Sequence, residues 1–377
     1  MTSKNNNICC IFNYAPHYRE PVYQAMAEKL KCDFYFGDDP GTKGIKELPL
    51  EELVGFQRKQ QTKRILGNRF YWQKGAWRLL FKPYSVYIIT GSPFYLSNWV
   101  IGCLGKLLNK PVYAWTHGIK HQHQGNKKRL KFEQLFYRLF DRILLYGNFS
   151  KETMLKMGFP ANQLVTIYNS LDHQAHKQLR ESISSSQLLK DHFGNNNPVV
   201  IYIGRIQKSK KLEQIVQAQA LLKQRGRAFN FVVLGPKTEG EFLEQEVKKY
   251  GVENETWFYG PCYEEATIAE FLINAQVCVS PGPIGLTAIH AASFGLPIVT
   301  NDLLQQQMPE FEVIVENQTG GFFKNDDIEA LAQAIEKWAF LGPEERKSCR
   351  EMAIGRVDQY YNPDFQVSLL QTLISQR

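Results

Sequence analysis

Residues 199–205 read Val-Val-Ile-Tyr-Ile-Gly-Arg, and residues 277–286 read Val-Cys-Val-Ser-Pro-Gly-Pro-Ile-Gly-Leu. In each stretch an apolar, β-branched run typical of a buried strand ends at a glycine. Helical patterns follow, from Leu212 and from Thr287 to Phe294. Ligands of open α/β sheets lie beyond the carboxyl ends of the strands, where helix N-termini offer unpaired N–H groups to phosphate. The two turns therefore predict a site for a nucleotide diphosphate.

Composition and length indicate a globular protein with more than one core. The chain has 377 residues, of which 44% are hydrophobic and 22% charged, so it is long enough for two domains and too apolar to be disordered. Its longest apolar stretch, Tyr95 to Leu108, is interrupted by polar residues, and the strand-like run Ile8 to Phe12 is too short for a signal peptide. The seven cysteines show no metal-ligand spacing. We expect a cytoplasmic protein.

The charge is divided unevenly along the chain. Residues 1–180 contain 27 Lys and Arg against 12 Asp and Glu, a balance of +15, whereas the remainder carries −7 of the overall +8. A basic first half indicates an anionic partner or surface for that part of the molecule.

Strand-like and helical patterns alternate through both halves of the chain. This order predicts α/β architecture with two doubly wound, Rossmann-like domains that face each other across a cleft. We place the first domain at residues 1–178 and the second at 190–357, with a carboxyl-terminal helix at 358–377 that packs back on the first. The polar segment 172–197 is the best candidate for the linker.

At this point the sequence resembles a known family. Five segments are similar to the carboxyl-terminal half of family 4 glycosyltransferases, namely Gly204-Arg205 with Lys210, residues 232–236, residues 258–260, residues 275–281, and Gly285-Leu286 with Ala291, Gly295 and Pro297. The similarity covers about residues 198–340, and the first half matches loosely through residues 13–19, His117-Gly118 and residues 168–172. The resemblance implies the GT-B fold, a retaining reaction, a nucleotide-sugar bound mainly by the second domain and an acceptor bound mainly by the first.

The resemblance also implies a set of donor-binding residues. They surround the two glycine turns and the adjacent strand ends: Gly204, Gly235, Cys262, Gly282, Pro283, Ile284, Gly285, Leu286 and His290. Family members usually carry two glutamates at the places held here by Gly282 and His290, the first contacting the donor sugar and the second the ribose. An imidazole can still hydrogen-bond a ribose hydroxyl. The backbone N–H of Gly282 could bind in place of a carboxylate, or the donor sugar could need no such acceptor; an inactive relative is the alternative.

Arg205 and Lys210 are the candidate catalytic cations. Departure of a nucleoside diphosphate builds negative charge on the β-phosphate, and preorganised cations there lower the barrier. Arginine suits bidentate contact with phosphate and lysine acts as a point charge. The alternative is a basic, solvated start of a helix. With these cations and the helix dipole in place, we expect no metal and no other cofactor.

Two features of the first half lie where a substrate would be expected. His117 follows the predicted strand 111–116, and the resemblance gives it a catalytic contact near the reacting carbon; a histidine that only anchors its loop is the alternative. Pro16, His17, Tyr18 and Arg19 form a loop between a strand and a helix, which we interpret as an acceptor-side or donor-phosphate loop; a simple helix-capping turn is the alternative. His121 and His123 lack a nearby carboxylate and the spacing of a shared helix face, so we interpret them as loop residues.

Residues 68–82 combine aromatic and basic side chains. Arg69, Trp72, Lys74, Trp77 and Arg78 have the composition of a segment that binds an anionic membrane surface. The alternative is an amphipathic helix whose aromatic residues pack in the core. No nucleic-acid-binding fold accompanies this segment, so we expect no nucleic-acid partner.

Taken together, the sequence predicts a metal-independent hexosyltransferase that moves a sugar from a nucleoside diphosphate to a lipid-linked or growing glycan acceptor, as in polysaccharide or lipopolysaccharide biosynthesis. Its expected location is the cytoplasm, peripherally on the inner membrane face. The alternatives are a GT-B sugar-nucleotide epimerase and a non-catalytic nucleotide-sugar-binding protein.

Overall fold

The structure is a computed structural model that describes residues 7–39, 46–67, 69–119, 126–184 and 186–376. The chain divides into two compact units, Met1–Asp172 together with Asn362–Arg377, and His173–Tyr361.

Strands and helices alternate along most of the chain. The strands are β1 (Ile8–Phe12), β2 (Cys32–Gly37), β3 (Phe56–Gln60), β4 (Thr62–Ile65), β5 (Phe70–Gln73), β6 (Val86–Thr90), β7 (Val112–Thr116), β8 (Arg142–Leu145), β9 (Leu164–Thr166), β10 (Val199–Ile203), β11 (Asn230–Leu234), β12 (Thr256–Gly260), β13 (Val277–Ser280), β14 (Ile298–Asn301) and β15 (Gly320–Phe323). The helices are α1 (Glu20–Leu30), α2 (Leu96–Leu107), α3 (Lys127–Tyr137), α4 (Asn148–Lys156), α5 (His173–Ser182), α6 (Leu188–Phe193), α7 (Glu213–Gln224), α8 (Phe242–Tyr250), α9 (Glu265–Asn274), α10 (Thr287–Ser293), α11 (Ile328–Ala339), α12 (Pro343–Tyr360) and α13 (Pro363–Ser375).

The first unit is built on a parallel sheet of strand order β3-β2-β1-β6-β7-β8-β9, beside which β4 and β5 form an antiparallel hairpin. Both faces of this sheet are covered. Along β1, Ile8, Cys10 and Phe12 join one hydrophobic core, whereas Cys9 and Ile11 join the core on the opposite face. Because strand side chains alternate between faces, an unbroken apolar run is what a strand buried on both sides requires.

The second unit holds a parallel sheet of strand order β12-β11-β10-β13-β14-β15. Its strands β10 and β11 bury Val200, Tyr202, Phe231 and Val233 against α7, α8 and α11 in one large core. In both sheets the chain proceeds outward from the first strand and then returns to its other side, so each sheet has a switch point, between β1 and β6 and between β10 and β13. Ligand crevices of doubly wound sheets form at such points.

The predicted α/β class with two parallel, Rossmann-like sheets is confirmed. The linker interpretation of residues 172–197 is wrong, because α5 and α6 occupy that segment and α5 belongs to the second unit. Two polar residues of α5 pair with α12: Asp358 accepts from Arg180 Nη2 at 2.9 Å and lies 2.7 Å from His173 Nε2. Ion pairs thus hold one side of α5 to the second unit, while Gln174, Lys177, Gln178 and Glu181 are exposed.

The carboxyl-terminal helix begins later than predicted. α12 continues to Tyr360 in the second unit, and only α13 belongs to the first unit, where Val367 and Leu370 join the core beside α1. Within the parts of the chain that the structure describes, no helix combines the length and apolarity needed to cross a bilayer.

Candidate functional site

The two glycine turns lie side by side at the switch point of the second sheet. Gly204 directly follows β10, and residues 281–286 connect the neighbouring β13 to α10. The hydroxyl of Thr287, the first residue of α10, donates to the carbonyl of Ile203 at 2.9 Å and so joins the two turns. The predicted diphosphate loops are thus adjacent at the carboxyl edge of one sheet.

Close backbone approach explains the glycines at two of these positions. A Cβ on Gly235 would lie 2.6 Å from the carbonyl carbon of Gly204, and Gly235 has a φ of 154°. A Cβ on Gly282 would lie 2.6 Å from Cα of Lys210 and would also collide with the carbonyl oxygen of Ser209. Any side chain at position 282 would therefore displace the turn that carries Lys210.

The N–H of Gly282 donates to the carbonyl of Lys210 at 2.9 Å, and the N–H of Ile284 donates to Oε1 of Gln307 at 2.8 Å. Both groups are engaged within the protein. The interpretation that the Gly282 N–H replaces a carboxylate at the donor is therefore wrong in this structure, and its role is to fix the Lys210 turn.

Lys210 is the cation held in the loop. Its Nζ donates to the carbonyl of Pro283 at 2.5 Å. Burial and the nearby Arg205 guanidinium lower the pKa of Lys210, whereas the carboxylate of the buried Glu310 opposes that shift. A half-buried ammonium whose nearest protein partner is a neutral carbonyl is well placed to exchange that partner for a phosphate oxygen.

The neighbouring cations differ from Lys210 in their surroundings. Arg205 is exposed, and its charge acts on Lys210. Lys208 is exposed as well, whereas Nζ of Lys211 donates to Oδ1 of Asp326 at 2.6 Å. Lys211 is thus paired with Asp326 and does not contact the 281–286 loop through its ammonium, unlike Lys210. The predicted pair of Arg205 and Lys210 is brought together.

His290, predicted to contact the ribose, lies on α10 with a protein partner. Its Nε2 lies 3.0 Å from Oε2 of Glu265 at the start of α9, and its ring stacks on that of His176 with centroids 4.7 Å apart. Burial raises the pKa of Glu265, but the hydrogen bonds and charges of His176 and His290 outweigh it and hold that pKa well below its usual range. We interpret the group as a carboxylate paired with two histidines.

The same three residues are the group that could hold a metal ion among those the structure describes, because one ligand atom from each lies within 4.8 Å of the others. His121 and His123 lie outside the described residues. Cys262 is half-buried in the loop between β12 and α9, at the same edge of the sheet as Gly235, and its thiol is not in a disulfide.

The first unit has its own pocket of about 660 Å³, at the carboxyl ends of β1, β6, β7 and β8. Pro16, Tyr18 and Arg19 of the loop after β1 line it together with His117, which follows β7. His17 does not line the pocket: its Nδ1 lies 3.2 Å from the carbonyl of Lys46. Of the four residues predicted for the acceptor-side loop, His17 is the one that lies outside this pocket.

Residues 69–82 contain β5 and a 3-10 helix at Ala76–Phe81, so the alternative interpretation of this segment as one amphipathic helix is wrong. Arg69, Lys74 and Arg78 are exposed, whereas Trp72 and Trp77 are half-buried. The cations are thus available to an anionic surface, and the tryptophans are only partly so.

Several residues of the site lie far from the glycine turns in sequence and were not predicted. Gln307 accepts from Ile284 and donates through Nε2 to Oγ1 of Thr300 at 3.0 Å, while Nδ2 of Asn301 donates to the carbonyl of Pro281 at 2.5 Å. Glu310 adds a buried carboxylate near Lys210. Asn301 ends β14 and Gln307 and Glu310 follow it, and their position at the carboxyl end of a strand is the sequence feature that could have indicated them.

Comparison with known proteins agrees with this geometry. Residues 187–356 match the family model described as Glycosyl transferases group 1, which is less than half of the chain. Glycogen synthase of Mycobacterium tuberculosis is 26% identical over 139 residues, 36% of this chain and 32% of that protein. Alpha-D-kanosaminyltransferase of Streptomyces kanamyceticus is 23% identical over 167 residues, 43% of this chain and 42% of that protein. The chain thus matches only about a third to two fifths of the length of these relatives.

Among solved structures, Alr3699/HepE of Anabaena in complex with UDP is similar along nearly the whole chain. The similarity covers 98% of this chain and 100% of that one, with a TM-score of 0.73 and 15% sequence identity. At this identity the likeness concerns the fold. The chain therefore has the fold of the GT-B glycosyltransferases, and its second unit is similar in sequence to group 1 glycosyl transferases.

Proposed function

We propose that this protein is a glycosyltransferase that takes a hexose from a nucleoside diphosphate and transfers it, with retention, to a lipid-linked or growing glycan acceptor. The observation that carries the proposal is the position of Lys210. It lies beside Arg205 at the switch point of the second sheet, and its half-buried ammonium donates to the neutral carbonyl of Pro283. The Anabaena protein of the same fold was solved with UDP, so UDP-sugars are the first donors to test.

The chemistry follows from the charges. As the bond between the anomeric carbon and the β-phosphate oxygen lengthens, negative charge grows on the leaving diphosphate. Arg205 and Lys210 stabilise this charge, and burial of Lys210 strengthens its interaction because the local dielectric is low. Before the diphosphate binds, the ammonium donates to Pro283, so the turn is already in position and little reorganisation is needed. No step in this scheme is assigned to a metal ion.

The first unit is the proposed acceptor side. His117 and Arg19 line its pocket, and the exposed Arg69, Lys74 and Arg78 provide a basic surface compatible with an acceptor anchored in an anionic, cytoplasmic membrane leaflet. Gly282 and His290, which replace the glutamates of the family pattern, are the observation that favours a second candidate, a protein that binds nucleotide-sugars without catalysis.

A panel of UDP- and GDP-sugars incubated with the protein tests the proposal, with release of nucleoside diphosphate and transfer or slow hydrolysis of the sugar as readouts. Arg205→Ala and Lys210→Ala should each lower turnover about a hundredfold, the equivalent of about 3 kcal/mol of transition-state stabilisation. Lys208→Ala is the matched control, because it removes an exposed lysine of the same turn.

Each alternative has its own outcome. An isomerised donor would indicate an epimerase, and tight donor binding without any turnover would indicate a binding protein. Near-normal rates in both the Arg205 and Lys210 variants would contradict the assigned roles even if transfer is observed.

A further inference from the structure

Arg19 is an isolated cation in the pocket of the first unit. It lies between the loop after β1 and the start of α1, and it faces the switch point between β1 and β6. Its Nη1 donates to the hydroxyl of Tyr146 at 2.7 Å. Its Nε and Nη2 are buried and have no hydrogen-bond partner among the described residues.

Aromatic rings surround this guanidinium. Its central carbon lies 4.4 Å from the ring centroid of Trp115, 5.4 Å from that of Tyr23 and 5.7 Å from that of Tyr146. Such rings attract a cation through their faces and hold it in one orientation. The ring faces offer no acceptor to the in-plane N–H groups, so apart from the bond from Nη1 to the Tyr146 hydroxyl the hydrogen-bonding capacity of Arg19 stays unused.

A second arginine in the same pocket shows the contrast. Nε of Arg129 donates to Oε1 of Glu133 at 3.1 Å, so its charge is compensated within the protein. No carboxylate lies within ion-pairing distance of Arg19 in the part of the chain that the structure describes. A buried charge without a counter-ion is unfavourable, and removing one partner of a buried pair is costly for the same reason. The pocket therefore contains a site that an anion would complete.

We propose that the pocket of the first unit binds an anionic group, a carboxylate or a phosphate, through Arg19. The edge of the planar guanidinium formed by the unpartnered Nε and Nη2 matches two oxygens of either group. This inference rests on the proposed function in one respect: the anion would belong to the acceptor, which is then an acidic sugar or a phosphorylated one rather than a neutral glycan. His117, in the same pocket, lies with its ring centroid 4.7 Å from that of Tyr146, the hydroxyl partner of Arg19.

The test measures the binding of small-molecule probes to the whole protein. It is done with and without saturating UDP, so that binding of a phosphate probe to the second unit can be recognised and excluded. The probes are two anions and their neutral counterparts: D-glucuronate against D-glucose, and glycerol 3-phosphate against glycerol. Titration calorimetry gives the affinities. Fluorescence of Trp115, assigned by difference from a Trp115→Phe variant, reports on occupancy beside Arg19 because the ring contacts the guanidinium.

We expect at least one anion to bind about tenfold or more tightly than its neutral counterpart, a preference of about 1.4 kcal/mol. The tighter of the two anions identifies the source of the charge. Arg19→Gln should abolish the preference, and Arg19→Lys should weaken it because the fork is lost. Arg142→Gln is the matched control, since Arg142 carries the same charge at the opposite end of β8 and does not line the pocket; it should retain the preference.

Equal affinity for anionic and neutral probes, binding of neither anion, or a preference that survives in Arg19→Gln would overturn the inference. If Arg19→Gln does not fold by circular dichroism, the comparison of Arg19→Lys with Arg142→Gln decides. UDP affinity should be unchanged in the Arg19 variants. An absence of sugar transfer with anion selectivity intact would reject the proposed function and leave this site standing, whereas transfer without anion selectivity would do the reverse.

Discussion

Gly282→Ala is the substitution that tests the geometry of the donor loop most directly. The added Cβ would lie 2.6 Å from Cα of Lys210 and 2.9 Å from its carbonyl carbon, so the 208–210 turn or the 281–286 loop must move. Overpacking of this kind costs about 1–3 kcal/mol, and the bond from the Gly282 N–H to the Lys210 carbonyl contributes about 0.5–1.5 kcal/mol that the movement would weaken. We therefore expect a loss of about 2–4 kcal/mol.

For a unit of the size of residues 173–361, that loss corresponds to a decrease in Tm of about 4–16 °C. Thermal unfolding measures the stability, and kcat/KM for the active donor measures the function. We expect kcat/KM to decrease by about a hundredfold, because the displaced Lys210 no longer faces the phosphates. Gly355→Ala is the control: no atom lies within 4 Å of its Cβ position on α12, and it should stabilise the helix by about 0.5–1 kcal/mol.

An unchanged Tm and an unchanged rate in Gly282→Ala would refute the reasoning. The same collision applies to Gly282→Glu, so introducing the glutamate that the family resemblance implies for this position should lower activity here rather than raise it.

Four other expectations follow from the site. Burial and Arg205 lower the pKa of Lys210, so its positive charge is lost as pH rises through that lowered value. The alkaline decrease in kcat/KM should therefore lie below the usual lysine pKa of about 10.4. Lys210→Arg should move this decrease to higher pH. His290→Ala should weaken binding of nucleoside diphosphate by about 0.5–3 kcal/mol in calorimetry, and an equal effect on the 2′-deoxy nucleotide would point to packing rather than a ribose contact. Chelation with EDTA should leave the transfer rate unchanged, while a loss restored by zinc would assign His176, Glu265 and His290 to a metal site. Sedimentation with anionic vesicles should decrease as the salt concentration rises. Joint replacement of the exposed Arg69, Lys74 and Arg78 should lower it more than joint replacement of the half-buried Trp72 and Trp77. Equal binding to neutral vesicles would count against a membrane surface.

The sequence predicts the elements of this fold best where local pattern and burial agree. The runs at residues 199–203 and 277–280 are strands with those bounds, because strands buried on both faces need unbroken apolar side chains. The polar α5 was missed for the opposite reason: its partners Asp358 and Glu265 come from distant segments, so its stability is not visible in its own residues. The short β15 begins with two glycines and depends on pairing with β14.

The same division applies to the site. The sequence indicated Gly204, Arg205, Lys210 and residues 282–286 as candidate site residues. Close approach of two backbones requires glycine, and a phosphate site requires cations, so both residue types could be found by pattern. Gln307 and Glu310 follow β14. Only the tertiary fold shows that Gln307 accepts from Ile284 and that the Glu310 carboxylate affects the pKa of Lys210. The engaged N–H of Gly282 likewise depends on a turn more than seventy residues earlier in the chain.

The return of α13 to the first unit affects the order in which the protein can be completed during synthesis. Val367 and Leu370 fill part of the core beside α1, so the ribosome must translate past both residues before that core can close. The second unit is continuous in sequence and can close earlier. Until then the apolar side of α1 lacks the side chains of α13 that pack on it. A nascent chain stalled before Pro363 would therefore bind chaperones through α1, which was synthesised early, rather than through the segment synthesised last.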